Sequence, residues 1–246
     1  MTDPRTAKAA LTAHLQDQIL TTALPPGADL DEAQLSRDFA LSRTPLREVL
    51  RALAGAGYVE LRANRGARVS QMSFGQLRSF FQAAPMIYGA VLQLAAGAAT
   101  SEQLDRLRAA QDVFDAALQS GDARDRTLAN HRFHDITGDM AHNPYLLPSF
   151  RRLLIDHARI GMTFYRAGSS TRSPTGSAQV VSQTEAQRAA SQHHHAIIAA
   201  IARRDAAAAM ALAHDHWQLS RDQIETFVMP AALDLPLGAP KPQIPA

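Results

Sequence analysis

The chain has 246 residues, 46% of them hydrophobic and 20% charged, with a formal net charge of +2. That is enough for one large or two small packed domains, and it excludes a polybasic tail protein. Cysteine is absent, which removes disulfide frameworks, thiolate chemistry and cysteine zinc sites.

Met1 to Ala10 carries Asp3, Pro4, Arg5 and Lys8 but no apolar signal core. No run of about eighteen uncharged apolar residues stands out, so the expectation is a cytoplasmic protein that does not cross a membrane. Of the 25 basic residues, only Lys8 and Lys241 are lysines. Between Arg37 and Arg68, seven arginines meet three acids, Asp38, Glu48 and Glu60, a local excess of four positive charges.

A first helix is predicted over about 6–23, with Leu11, Leu15 and Ile19 on one face. Leu24-Pro25-Pro26-Gly27-Ala28 stops it. Asp29 or Asp31 can cap a short second helix over 32–39 that turns Leu35 and Phe39 inward. A third helix follows in Ala40-Leu41-Ser42-Arg43-Thr44-Pro45-Leu46-Arg47-Glu48-Val49-Leu50-Arg51-Ala52-Leu53. Leu46, Val49, Leu50 and Leu53 form its buried stripe, and Thr44, Arg47 and Arg51 lie away from it. Ser42 or Thr44 can cap the first turn, where Pro45 is also tolerated. Such a helix suits entry into a DNA major groove, although a solvated basic face has the same pattern.

Gly55 and Gly57 end that helix, Gly57 as its left-handed terminal residue. Two short apolar runs, 58–61 and 67–70, flank Arg62-Ala63-Asn64-Arg65-Gly66, a stretch with hairpin chemistry. Three helices followed by a two-stranded ribbon make a winged helix-turn-helix. Arg62, Arg65 and Arg68 put three charges on the wing, suited to phosphate or a minor groove.

With these residues in view, Pro25-Pro26-Gly27, Leu30, Glu32, Leu35, the run Leu41 to Leu50, Leu53, Gly57-Tyr58-Val59 and Arg65-Gly66-Ala67-Arg68-Val69 resemble the GntR-type DNA-binding domain. The resemblance covers nearly all of the first 70 residues. It implies a dimeric bacterial transcription regulator that binds a pseudo-palindromic operator in double-stranded DNA. Carried onto this chain, Arg43, Thr44 and Arg47 would meet bases and phosphates, and Gly66 would reach the minor groove at the wing tip. Ser42, Arg51, Arg65 and Arg68 complete the expected DNA-facing set. Ala33 stands where some members carry a further DNA-contacting arginine.

Residues 71–75 read as a linker, and 76–229 as a second, all-α domain. Ser73-Phe74-Gly75-Gln76 and Thr100-Ser101-Glu102-Gln103 have the spacing of capping boxes. Pro85 should kink the first long helix or divide it near Ala84. The helix after Thr100 is expected to bury Leu104, Leu107, Val113, Phe114 and Leu118, and Gly121 to end it. Further helices are predicted over 123–140, 144–167, 179–202 and 205–227. The polar stretch 167–178 reads as a surface loop or a lid, and 230–246 as a tail. The fold expected is therefore mainly α: an N-terminal winged helix-turn-helix and a C-terminal helical bundle.

Asn130 and His134 are an i, i+4 pair on one helix face. His194 and His216 fall on two later helices, and facing helices of a bundle can direct such side chains to one internal site. Imidazole suits Zn, Ni, Fe or Cu, but a histidine on a helix more often has a surface or core role. Asn130-His131-Arg132-Phe133-His134-Asp135-Ile136 with Asn143-Pro144-Tyr145-Leu146, and the run His194 to Ile201 with Asp205 and His216, resemble the ligand domain of the FadR-type (FCD) branch of the GntR superfamily. The resemblance spans roughly 76–228 and implies a six- or seven-helix bundle holding a divalent metal, Zn or Ni foremost.

Mapped here, the ligands are Asn130, His134, His194 and His216. Asn130 offers a neutral carbonyl where many relatives have aspartate. His131, His142, His157 and His214 are taken as surface or supporting residues. Ala84 and Tyr88 stand where the family often carries an arginine and a glutamate. The function expected is a regulator whose operator affinity follows a small effector, an organic acid completing the metal's coordination. A metal-dependent hydrolase carrying a DNA-binding domain is the alternative, with Glu185 the carboxylate near the histidines; a metal-free domain with structural histidines is a third possibility.

Overall fold

Nine helices and one hairpin occupy the described residues of the computed structural model, 3–63, 65–170 and 176–228. Helix α1 (Pro4–Leu20) buries Leu11, Leu15 and Ile19 completely. Helix α2 (Glu32–Asp38) begins at Asp31, whose carboxylate accepts the Gln34 amide at 2.9 Å. Helix α3 (Arg43–Gly55) buries Leu46, Val49, Leu50 and Leu53, the stripe its spacing predicts.

One expectation for α3 fails. Ser42 is its N-cap, yet the Ser42 side chain makes no capping hydrogen bond. A capping hydroxyl takes the amide hydrogen of the second or third helical residue, and Pro45 at the third position removes one of those two donors.

After α3, Gly57 takes φ +88 and the Tyr58 amide returns to the Leu53 carbonyl at 2.9 Å. Strands β1 (Val59–Arg62) and β2 (Gly66–Val69) pair antiparallel, with Glu60 opposite Arg68 and Arg62 opposite Gly66. The wing has a further edge that the proline-rich turn conceals. Gly27 donates to Val69, Val69 to Ala28 and Leu30 to Ala67, at 2.8–3.0 Å.

The bundle comprises α4 (Phe74–Ala98), α5 (Ser101–Ser120), α6 (Ala123–Met140), α7 (Leu146–Ser170), α8 (Gly176–Ala202) and α9 (Ala206–Val228). Both capping boxes form, at Ser73 with Gln76 and at Thr100 with Gln103. Gly121 closes α5 in the left-handed conformation at φ +77. Helix α4 runs unbroken through Pro85. An interior proline costs about 3 kcal/mol, and here α6, α7, α8 and α9 all pack on α4 and offset it.

Helix α4 also corrects the reading of the chain's apolar runs. Gly75–Ala98 has a mean hydropathy of 1.2, long and apolar enough by length and composition to cross a bilayer. In this fold Phe80, Ala84, Tyr88, Val91, Leu92, Ala95 and Ala96 of that segment are core.

Two other expectations change. Val113 is 60% exposed, and the buried face of α5 runs instead through Leu107, Ala110, Gln111, Phe114 and Ala117. Within the polar stretch 167–178 the described residues are helical, since α7 continues to Ser170 and α8 starts at Gly176. Loss of apolar periodicity marks the end of a buried face, not of a helix. The remaining residues 171–175 and the tail 230–246 lie outside the described residues.

Helix α7 is shared between the two parts of the chain. Its Ile155 and Ala158 belong to the same apolar cluster as Leu11, Leu46 and Val69. Beside them Arg159, with no exposed surface, donates to the Ser70 carbonyl at 2.9 Å and to Asp156 at 2.6 Å. Arg124 of α6 meets Asp17 of α1 at 2.5 Å. The winged unit is thus docked on the bundle through a continuous core as well as joined to it by a linker.

Candidate nucleic-acid interface and candidate metal centre

The outer side of α3 carries the first site. Its inner stripe anchors it against α1 and β1, which leaves Ser42, Arg43, Thr44, Arg47 and Arg51 all exposed. Two concavities flank these residues. One, about 540 Å³, lies between α3 and the wing and is lined by Arg47, Arg51, Arg62 and Gly66 with Asp31 and Glu32. The other, about 840 Å³, lies between α2 and α3 and is lined by Arg37, Arg43, Thr44, Arg47 and Arg51 with Ala33.

The arginines differ in freedom. Arg47 is 62% exposed and only loosely paired, 3.8 Å from Glu32. Arg62 is bonded to Asp29. Arg68 makes two bonds to Glu60, its partner across the ladder, at 2.9 and 2.7 Å, and holds that carboxyl below the usual carboxylate range. Arg65 is exposed at the wing turn beside Gly66, whose φ is +72. Of the wing arginines, then, Arg65 faces outward while Arg62 and Arg68 are held by acids. It is the left-handed backbone of Gly66 that favours glycine at the wing tip, since a Cβ there would meet only the flexible end of Glu32, at 3.0 Å.

The second site is inside the bundle. His134 of α6, His194 of α8 and His216 of α9 are buried, and one ring nitrogen from each lies within 4.8 Å of the others. His134 Nε2 and His216 Nε2 are 3.3 Å apart. His194 Nε2 and His216 Nδ1 are buried with no hydrogen-bond partner. Burial, reinforced by the neighbouring rings, pushes the pKa of His134 and His194 well below the ordinary value and that of His216 to about 3. All three are therefore neutral at pH 7 and present lone pairs. Three convergent neutral imidazoles with two orphaned nitrogens are the donor set a divalent transition metal takes.

Of the three consecutive histidines on α8, it is His194 that enters this cluster. His195 is exposed and bonds Asp115, and His193 is partly buried. Asn130, one turn before His134 on α6, is partly buried. Glu185 is exposed on α8 and is no part of the cluster.

Several supporting residues carry weak signals in the sequence. His157 of α7 accepts from or donates to the Tyr88 hydroxyl at 2.7 Å and sits 3.3 Å from Ser220 Oγ; burial lowers its pKa to about 4. Tyr88 is wedged edge-on against His134, Phe150 and His157. Gln111 of α5 bonds His194 Nδ1 at 2.8 Å. Its signal is a polar residue in an apolar stripe, between Leu107 and Phe114.

A winged helix-turn-helix docked on a six-helix bundle is the architecture of a DNA-binding regulatory protein. Residues 7–69 match the family described as bacterial regulatory proteins, gntR family, and residues 80–219 match the FCD domain. The chain belongs to that family, as a gntR-type regulatory protein with an FCD domain.

Among curated relatives, it is 23% identical over 133 residues to an uncharacterized HTH-type transcriptional regulator, YdhC, of Bacillus subtilis (strain 168), taking in 54% of this chain and 59% of YdhC. It is 26% identical over 159 residues to a probable D-xylose utilization operon transcriptional repressor of Paenarthrobacter nicotinovorans, across 63% of this chain and 70% of that one. The solved structure of E. coli McbR/YncC shares the fold at TM-score 0.69 and 18% identity, covering 92% of this chain and 99% of that one.

Proposed function

We propose that this chain represses or otherwise regulates transcription by binding double-stranded operator DNA as a homodimer. Residues 1–70 form the DNA-binding unit and 76–229 the unit that binds effector and pairs the subunits. Base and phosphate contacts come from Ser42, Arg43, Thr44, Arg47 and Arg51 on α3, with Arg65, Gly66 and Arg68 on the wing. The observation that carries this reading is the α3 face itself: four polar or basic side chains stand in solvent around an exposed, loosely paired Arg47.

The input is a divalent metal, Zn or Ni foremost, held by Asn130, His134, His194 and His216, with a small carboxylate effector completing its coordination. Support comes from the three buried neutral imidazoles, which are costly unless something uses their lone pairs. Effector binding then shifts the population between two spacings of the winged units. The test is a mobility-shift titration on the chain's own upstream region. Arg47→Ala should weaken binding by roughly 1–3 kcal/mol at fixed salt. Unchanged binding would count against the assignment.

A further inference from the structure

Gln111 belongs to no ligand set, yet it is 1% exposed and sits against a proposed ligand. A buried primary amide must satisfy two donors and an acceptor. Its nitrogen lies 2.9 Å from Asp115 Oδ1 and 3.3 Å from Ser191 Oγ, and its oxygen lies 2.8 Å from His194 Nδ1. The orientation of the amide follows from charge. Asp115 Oδ1 also receives the Ser191 hydroxyl at 2.6 Å, and a carboxylate only accepts. Turning the amide over would set its carbonyl against that carboxylate. The NH2 group therefore faces Asp115 and Ser191, and the carbonyl faces His194.

A carbonyl can only accept, so neutral His194 must carry its proton on Nδ1. Its lone pair is then confined to Nε2, the buried atom left without a partner. The ring plane is fixed as well, stacked on Phe133 at a centroid distance of 3.8 Å and 11°.

We infer that Gln111, anchored by Asp115 and Ser191, is a positioning residue that holds the His194 imidazole in the Nδ1–H tautomer and aims Nε2 at the centre of the histidine cluster. This rests on the metal reading only for its purpose; the tautomer itself is a property of the metal-free protein. Outer partners of this kind orient ligating histidines, and their loss costs about 10–100-fold in metal affinity.

The experiment compares the full-length wild type with Gln111→Leu, Gln111→Glu and Asp115→Asn. Long-range 1H–15N spectra of the imidazoles are recorded on chelator-treated protein, with His194 assigned from a His194→Gln sample. Zinc dissociation constants are then measured by chelator competition. The wild type should show His194 as the Nδ1–H tautomer. Gln111→Leu should shift it toward Nε2–H and weaken zinc about 10–100-fold. Gln111→Glu keeps the acceptor toward His194 but sets its second oxygen against Asp115 Oδ1, so it should retain both properties only when combined with Asp115→Asn, whose amide can donate to it. Asp115→Asn alters only a partly exposed side chain, so it reports even if Gln111→Leu does not fold; it should give a mixed tautomer. An Nε2–H wild type, or an unchanged tautomer in both Gln111→Leu and Asp115→Asn, would overturn the inference. A wild type that shows the Nδ1–H tautomer but takes up no zinc would support the positioning and overturn the metal reading.

Discussion

Lowering the pH should unfold this protein through its buried histidine cluster, and His216 shows by how much. In the folded chain, burial first, then the charges His157 and His193 would carry, depresses its pKa to about 3. In the unfolded chain the value returns to about 6.5. Between those two values the unfolded state binds a proton that the folded state does not, so stability is full above pH 6.5 and falls as the pH drops toward 3. At pH 5 the medium is about 1.5 units below the unfolded pKa, which removes about 2 kcal/mol through His216 alone. His134, His157 and His194 are shifted in the same direction and add to the loss. The assay is urea denaturation of chelator-treated protein at pH 7, 6 and 5. His216→Gln should lose less stability over that range than the wild type, by about 2 kcal/mol. A wild type equally stable at pH 7 and 5, or a variant with the same fall as the wild type, would mean that His216 is not held neutral by burial.

Two further substitutions test the packing around the sites. Arg159→Met removes the buried cation that joins Asp156 of α7 to the Ser70 carbonyl; Asp156 keeps Arg152 at 3.5 Å, so the loss should be roughly 1–3 kcal/mol in chemical denaturation, and a loss below about 0.5 kcal/mol would contradict this docking. Gly138→Ala places a Cβ 2.8 Å from Phe150 Cδ1 and 3.1 Å from Leu147 Cδ1 across the α6–α7 contact, so it should destabilise by roughly 1–3 kcal/mol, visible as a lowered melting temperature.

Much of this architecture was legible because it rests on local rules. Leu46, Val49, Leu50 and Leu53 recur at helical spacing, and Ser73 with Gln76 spells a cap in four residues. Other features are not local. The burial of Ile155 and Ala158 among Leu11, Leu46 and Val69 joins residues more than eighty positions apart, and nothing in α7's own pattern marks one face for the winged unit. The histidines were legible as a set, His194 among them, only through the FCD resemblance; the rotation of α8 gives the physical reason, since it turns His194 inward and places His195 outside against Asp115. Gln111 lies between Leu107 and Phe114, both expected on the apolar side of α5, but a single polar residue there shows its burial only once α8 is packed against that side. At Ser42 the capping rule is weakened by another local fact, the proline that removes one of the two amide donors a cap can use.

In the regulator proposed above, the histidine cluster of the bundle governs the DNA-binding face of α3. The most direct measurement is the affinity of the full-length protein for its upstream DNA in chelator, in zinc, and in zinc with each of a panel of small carboxylates, for wild type and His194→Gln. The wild type should change affinity by about 5–150-fold between at least two of these conditions, and His194→Gln should not. A wild type indifferent to all of them, or a variant that responds as the wild type does, would contradict the claim.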